Sequence, residues 1–374
     1  MNKGSLIAAC LVLIVLACKK PFQPKLKASV SNLLVIEGVI NGTPGGITTI
    51  ALSRLRQLND TSYNNPEFGA TIAIEEEGGS VNTLQPRDSG FYSSTPLTLD
   101  ASKRYRLNIA TGDGRKYNSD FVSILSTPEI DSVTWEQRGD LNLYVYTHDP
   151  KNATHYYRWD YVETWEYHTY YNSLIKFEND TVVFDFVHSN FICWKSENSR
   201  DISIGTSIAL SSDVISHQLI GTVPKDSQKG SERYSPLVRQ YALTNDAYRY
   251  WQTLQKTTQE LGSLFDVQPS QLKGNIHDLA DEAQPVVGFV SASTVTAKRI
   301  FVDHASLTDW MEFAGNSCQE LGVIPNIPAV DHQYFADGLF APYHFIGMNG
   351  IVYTRPECVD CRLQGGTTDK PSYW

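Results

Sequence analysis

The chain has 374 residues, 41 of them acidic and 31 basic, for a formal charge of −10, and 41% of its side chains are hydrophobic. That length accommodates two domains or one large one, with cores that need no covalent staples. The acidic balance argues against a basic patch that would hold nucleic acid or an anionic membrane surface.

The N-terminus carries Lys3 and then the apolar run Leu6–Ala17. The run is short of the roughly 20 residues that a spanning helix needs, and its charge and apolar order are those of a bacterial export signal. It closes on Val15-Leu16-Ala17-Cys18, which resembles the lipobox of a bacterial lipoprotein. Residues 1–17 are therefore expected to be a signal peptide and Cys18 the lipidated first residue, with an ordinary secretory signal as the alternative. Several acyl chains on one N-terminus hold a protein on a membrane stably, where one chain would not. Residues 18–31, with Pro21, Pro24 and a set of lysines, read as a flexible tether. Beyond it no apolar run reaches spanning length, so the body is expected to be soluble.

From Leu33 short apolar runs alternate with Gly, Pro, Asn and Asp. LLVIEGVI (33–40) and ITTIALSRL (47–55) flank a Gly-rich turn, ATIAIEEE (70–77) stops at Gly78-Gly79, and RYRLNIA (104–110) turns through Thr111-Gly112-Asp113-Gly114. Residues 32–127 are expected to form an immunoglobulin-like or transthyretin-like β-sandwich without catalytic candidates. Ser126-Thr127-Pro128 marks the boundary to a larger, β-rich unit over 128–374.

That unit opens with IDSVTWEQ (130–137) and LNLYVYTHD (141–149), then reaches YYRWDYVETWEYHTYY (156–171). Read as a strand, Tyr157, Trp159, Tyr161, Glu163, Trp165 and Tyr167 share one face, and Arg158, Asp160, Val162, Thr164, Glu166 and His168 the other. The β pattern continues through VVFDFV (182–187), ISIGTSIAL (202–210), SPLVRQYAL (235–243), VVGFVSAS (286–293) and AKRIFVD (297–303). One helix interrupts it over 245–261, capped by Thr244, with Ala247, Tyr248, Trp251 and Leu254 at helical spacing and Gly262 beyond its end. Cys193, Cys318, Cys358 and Cys361 make an even set, which in an exported protein points to disulfides of open connectivity. Cys358-Val359-Asp360-Cys361 with the other two as a four-thiolate zinc site is the weaker alternative.

Chemical motifs are sparse. No G-x-S-x-G elbow, H-E-x-x-H, P-loop or dinucleotide fingerprint occurs, the histidines lack metal-ligand spacing, and no cofactor is implied. A glycosidase needs two carboxyl groups about 5–9 Å apart. Asp160 and Glu166 would stand about 20 Å apart along an extended strand, and Glu163 is on the opposite face. Asp278, Asp281 and Glu282 lack the loop spacing of a calcium site and read as an acidic turn. Glu163, in an aromatic face, requires a partner such as an Arg or tyrosine hydroxyls. The aromatic strand supports two readings. One is a cross-strand network inside a sheet. The other is a stacking platform of Trp159, Tyr161, Trp165 and Tyr167, with Glu163, for an oligosaccharide, peptide or aromatic ligand.

YYRWDYVETWE, RYSPLVRQYALTNDAYRYW (233–251), GSLFDVQPSQLKGNI (262–276) and CVDCRLQGGTTDKPSYW (358–374) together resemble the Bacteroidota outer-membrane lipoproteins grouped as domain of unknown function 4249, from about Val35 to Trp374. The resemblance implies an outer-membrane, lipid-anchored protein associated with TonB-dependent nutrient uptake, with a TonB-dependent receptor as partner and no catalytic residues to carry over. The expectation is a non-enzymatic accessory or ligand-binding lipoprotein. The alternatives are a secreted hydrolase of polysaccharide or peptide and a purely structural or assembly lipoprotein.

Overall fold

The structure, a computed structural model, describes residues 33–55, 65–186, 190–259, 273–311, 318–347 and 349–374. The expected signal peptide, Cys18 and the tether lie outside the described residues, as do the last two positions of the expected helix. The protein is mainly β. No helix among the described residues is long and apolar enough to cross a membrane.

The first strands are β1 (Leu34–Asn41), β2 (Thr49–Arg54), β3 (Thr71–Glu76), β4 (Val81–Thr83), β5 (Gln85–Pro86), β6 (Phe91–Ser93), β7 (Arg104–Ala110), β8 (Lys116–Ser119) and β9 (Val122–Leu125). Strict alternation builds them. In β7, Tyr105, Leu107 and Ile109 point into the core, while Arg106 faces outward and pairs with its cross-strand neighbour Glu75 at 2.8 Å. The strands belong to one continuous, nearly closed sheet that wraps a single core including Ile36, Ile50, Leu52, Ile72 and Leu107.

Chain order then runs β10 (Ile130–Arg138), β11 (Asp140–His148), β12 (Tyr156–His168), β13 (Ile175–Glu178), β14 (Thr181–Phe184), β15 (Ile192–Asn198), β16 (Ser203–Thr206), β17 (Val214–Val223) and β18 (Arg233–Ala242). The long helix Asn245–Gln259 follows, with Thr244 capping it through Ala247 N at 3.2 Å. Next come β19 (Ile276–Asp278), β20 (Val287–Gly288), β21 (Ser291–Ser293), β22 (Val295–Arg299), β23 (Val302–Asp303), β24 (Gly322–Pro325), the short helix Pro328–Phe335, β25 (Ala341–Ile346) and β26 (Gly350–Thr354).

Two sheets form the second core. β10–β11–β17 lies over the sheet β15–β12–β18–β22, and Leu141, Leu143 and Val145 meet the aromatic face of β12. A third, smaller core lies under β24–β26–β25, the hairpin β13–β14 and the short helix. That short helix was not expected. Pro328 starts it at a favourable first-turn position, but at eight residues it offers too little periodicity to read.

The boundary at 127 needs correction. VVGFVSAS, expected in the second unit, returns to the first: β20 and β21 run parallel to β1, β21 also pairs with β9, and β19 pairs with β8. Ile276, Val286, Val290 and Ala292 complete the first core. Composition identifies such a run as a strand but does not name its partner. Gly288 adopts φ +149°, and a Cβ there would stand 2.5 Å from the Ile36 carbonyl oxygen, so close backbone approach fixes glycine at this position.

Candidate ligand-binding site

The aromatic strand is a core element and not a platform. Tyr157, Trp159, Tyr161, Trp165 and Tyr167 are all at most 5% exposed. The reading of Trp159, Tyr161, Glu163, Trp165 and Tyr167 as a ligand platform is therefore corrected, because β10–β11–β17 covers that face. Alternation specifies which residues share a face, but the covering sheet is assembled from segments remote in sequence. Four of the five polar tips have a partner inside: the Tyr157 hydroxyl donates to Asp213, Trp159 Nε1 to Gln240 at 2.7 Å, Trp165 Nε1 to Gln228 at 3.1 Å, and the Tyr167 hydroxyl to the Cys361 carbonyl at 2.7 Å.

Glu163 has the expected kind of partner. Its carboxylate accepts from Lys229 Nζ at 2.6 Å and from the Tyr234 hydroxyl at 2.8 Å. Burial, with the Glu163 charge beside it, pushes the Tyr234 pKa far up, so the hydroxyl stays a donor. On the opposite face Asp160 accepts from Arg239 Nε at 2.5 Å, and Arg158 lies 4.0 Å from the Trp251 ring centroid.

All four cysteines are consumed by two disulfides, Cys193–Cys361 and Cys318–Cys358, which leaves no thiolate for the zinc alternative. Asp278 is buried and accepts from Ala280 N at 2.9 Å, as a turn residue does. Among the described residues no three metal-ligating side chains converge.

A concave feature lies elsewhere, in a cleft where the two units meet. The end of β9, the segment 126–129, the turn between β11 and β12 and the start of the long helix enclose a cavity of 690 Å³. Ile124, Leu125, Pro128 and Leu243 supply apolar wall, and His148, Asp131, His155 and Lys151 supply polar groups. A second cavity of 670 Å³, lined by Arg249, Tyr250 and Phe289, shares Leu125 and Thr244 with it and extends the cleft along the helix.

Local chemistry holds the cleft rigid. Asp149 accepts from the backbone of Lys151, Ala153 and Thr154, each at 2.9 Å, which fixes the turn between β11 and β12. Behind the wall the Tyr157 and Ser207 hydroxyls both donate to Asp213, and His155 Nδ1 lies 3.2 Å from Ser207 Oγ. Ser207 and Asp213 are buried, so this trio ties β12 to the segment before β17 and does not present a nucleophile. On the exposed rim, Asp131 lies 2.8 Å from His148 Nδ1, and its hydrogen bond and charge raise the imidazole pKa. Sequence reasoning missed this site because its residues come from the ends of different strands. Of its lining, Ser126-Thr127-Pro128 was legible only as a boundary and Thr244 only as a helix cap.

No curated protein matches the chain. Among solved structures, the Yersinia pseudotuberculosis adhesin InvE matches at 15% identity with a TM-score of 0.16, and the chain spans 57% of that structure's length with 57% of its own. The family match is broad, although it stops at residue 299 and so leaves the closing stretch 358–374 outside it. Over residues 19–299 the chain belongs to the family described as Domain of unknown function (DUF4249).

Proposed function

We propose that this protein is a lipid-anchored, non-enzymatic lipoprotein of the outer membrane that holds a ligand in the cleft between its two β units, as an accessory to TonB-dependent nutrient uptake. The cleft carries this reading. Its 690 Å³ cavity falls in the range of about 300–1,000 Å³ of small-molecule sites, which favour such unit boundaries, and it combines apolar wall with a few polar groups. Asp131 and His148 are paired at the rim, and the Ser207 hydroxyl beside His155 is buried and donates to Asp213. The anchor rests on Val15-Leu16-Ala17-Cys18 and on the likeness to Bacteroidota lipoproteins. Two disulfides fit an oxidising compartment beyond the cytoplasm.

Separate measurements test the anchor, the ligand and the partner. Acyl labelling of the full chain should be lost in Cys18→Ser; equal labelling of both forms rejects the anchor. Thermal-shift screening of the mature protein against oligosaccharides, peptides and metal chelates should give stabilisation by one class. Asn245→Trp, at the exposed rim of the cleft, should abolish that shift without changing the unliganded Tm. A silent screen would favour a structural or assembly role, whereas turnover of a polysaccharide or peptide would make the protein a hydrolase. Co-purification of a TonB-dependent receptor tests the partner.

A further inference from the structure

From the rim of the cleft the outer face of the sheet β10–β11–β17 runs on as an aromatic track. β11 is its central strand, and its outward positions in order are His148, Tyr146, Tyr144 and Asn142. His148 lines the cleft itself. The two tyrosines are partly exposed, and their neighbours on β17, His217 and Leu219, are exposed. An antiparallel sheet commonly presents one polar face to water, so rings along the centre of that face are the unusual feature.

The backbone is shaped to build this row. β11 and β17 shift register twice, between Leu143 and Tyr144 and between Val145 and Thr147. Within the second shift His217 adopts φ +54°, a left-handed conformation that a non-glycine residue holds only when its surroundings impose it. The irregularity turns the His217 imidazole onto Tyr144, with ring centroids 3.9 Å apart and planes 8° apart, and brings it 5.9 Å from Tyr146. The result is a fixed three-ring surface on a rigid sheet.

The polar groups beside the rings are locally neutralised. Asp131 pairs with His148 at 2.8 Å, and Glu136 bridges His217 at 2.9 Å and Arg138 at 2.8 Å. Thr222 donates to Asn142 at 2.9 Å. No run of one charge sign selects an ionic ligand here. What the track offers is ring faces beside carboxylate, imidazole, amide and hydroxyl groups, which is the complement of an uncharged, polyhydroxylated chain. β11 is paired on both sides, so a peptide could add as a strand only at the outer edge of β10 or β17 and not along the row of rings.

We infer that the track from His148 across Tyr146 and Tyr144 to Asn142 is a subsite for a neutral oligosaccharide, one end of which enters the cleft. The inference rests on the reading of the cleft as a ligand site and adds the ligand class. The test is calorimetric titration of the mature chain with cellohexaose and maltohexaose, alongside Tyr144→Ala, Tyr146→Ala and Asn245→Trp. One hexasaccharide should bind, and each tyrosine variant should weaken it about tenfold, the size of one lost aromatic contact, while circular dichroism stays unchanged. Tyr146→Ala serves as the second probe should Tyr144→Ala unfold the sheet. Binding indifferent to both tyrosines overturns the track. Failure of both hexasaccharides, with a peptide or chelate bound in a manner that Asn245→Trp abolishes, overturns the ligand class and leaves the cleft standing. Failure of every ligand class removes both.

Discussion

Two buried carboxylates differ in their partners. Glu163 was conspicuous in the sequence because it interrupts an aromatic face, and the need for a cation or hydroxyl partner followed from the cost of an unpaired buried charge. Which cation was not legible, since Lys229 arrives from a turn 66 positions away. Asp331 gave no signal at all, because it sits in a segment whose helical period is too short to read. It is fully buried, its Oδ2 accepts from Val182 N at 3.3 Å, and its Oδ1 has no hydrogen-bond partner among the described residues. Its place in the first turn of the short helix favours the anion, yet burial outweighs this and raises the pKa. For a folded pKa above the unfolded one, the stabilising contribution is complete below the ordinary aspartate range and is lost as pH rises through the raised value. At neutral pH the ionised group is therefore a liability. Asp331→Asn should raise stability at pH 7 by about 1 kcal/mol in urea unfolding and flatten the acid-side pH dependence. A variant less stable than the parent at pH 7 would show that the charge has a stabilising partner.

Among the elements, β12 shows what periodicity can and cannot deliver. Its strand character and the division of its faces followed from alternation of aromatic residues, as the hairpin at Thr111–Gly114 followed from its turn residues and the long helix behind Thr244 from its cap and helical spacing. Its burial did not, because Leu141, Leu143 and Val145 are ordinary strand residues until β11 folds over them. Room for the rings is made by residues with no side chain. Gly205, on the neighbouring strand β16, would carry a Cβ 2.8 Å from the Trp159 ring. Trp159 cannot move aside freely, because its Nε1 is held by Gln240, which in turn donates to the Pro128 carbonyl at 2.9 Å and to Thr147 at 3.0 Å. Gly205→Ala should therefore cost about 1–3 kcal/mol by overpacking and shift the tryptophan emission of the folded protein. A neutral effect on both would mean that the two sheets separate easily at β16, and would weaken the case for a rigid support beneath the track.

At the scale of the molecule, the two β units are separate cores joined by an interlocked chain. A linear boundary at 127 was the natural reading of Ser126-Thr127-Pro128, because linkers are local signals. The return of 276–293 into the first sheet is a long-range pairing that no local pattern encodes. It also explains why the cleft lies where it does. The chain leaves the first unit at the end of β9, re-enters it at β19 and leaves it again at the end of β21, which runs parallel to β9, so Thr127 meets Thr294: Thr127 N donates to Thr294 Oγ1 at 2.8 Å, and the Thr127 hydroxyl donates to the Thr294 carbonyl at 2.5 Å. Two adjacent strand exits, cross-linked in this way, leave little freedom for one unit to swing against the other and hold the cleft walls at fixed spacing. The architecture makes the first unit incomplete without the return. A fragment of residues 33–127 lacks β19, β20 and β21, exposes the flanks of β1 and β9 and removes Ile276, Val286, Val290 and Ala292 from the core. It should express as a poorly protected, aggregation-prone chain by hydrogen exchange. The same fragment joined through a glycine-serine linker to residues 273–299 should fold cooperatively, with slow exchange along β1. Cooperative folding of 33–127 alone would show that the return strands only decorate the first unit, and the cleft would then lose its fixed wall.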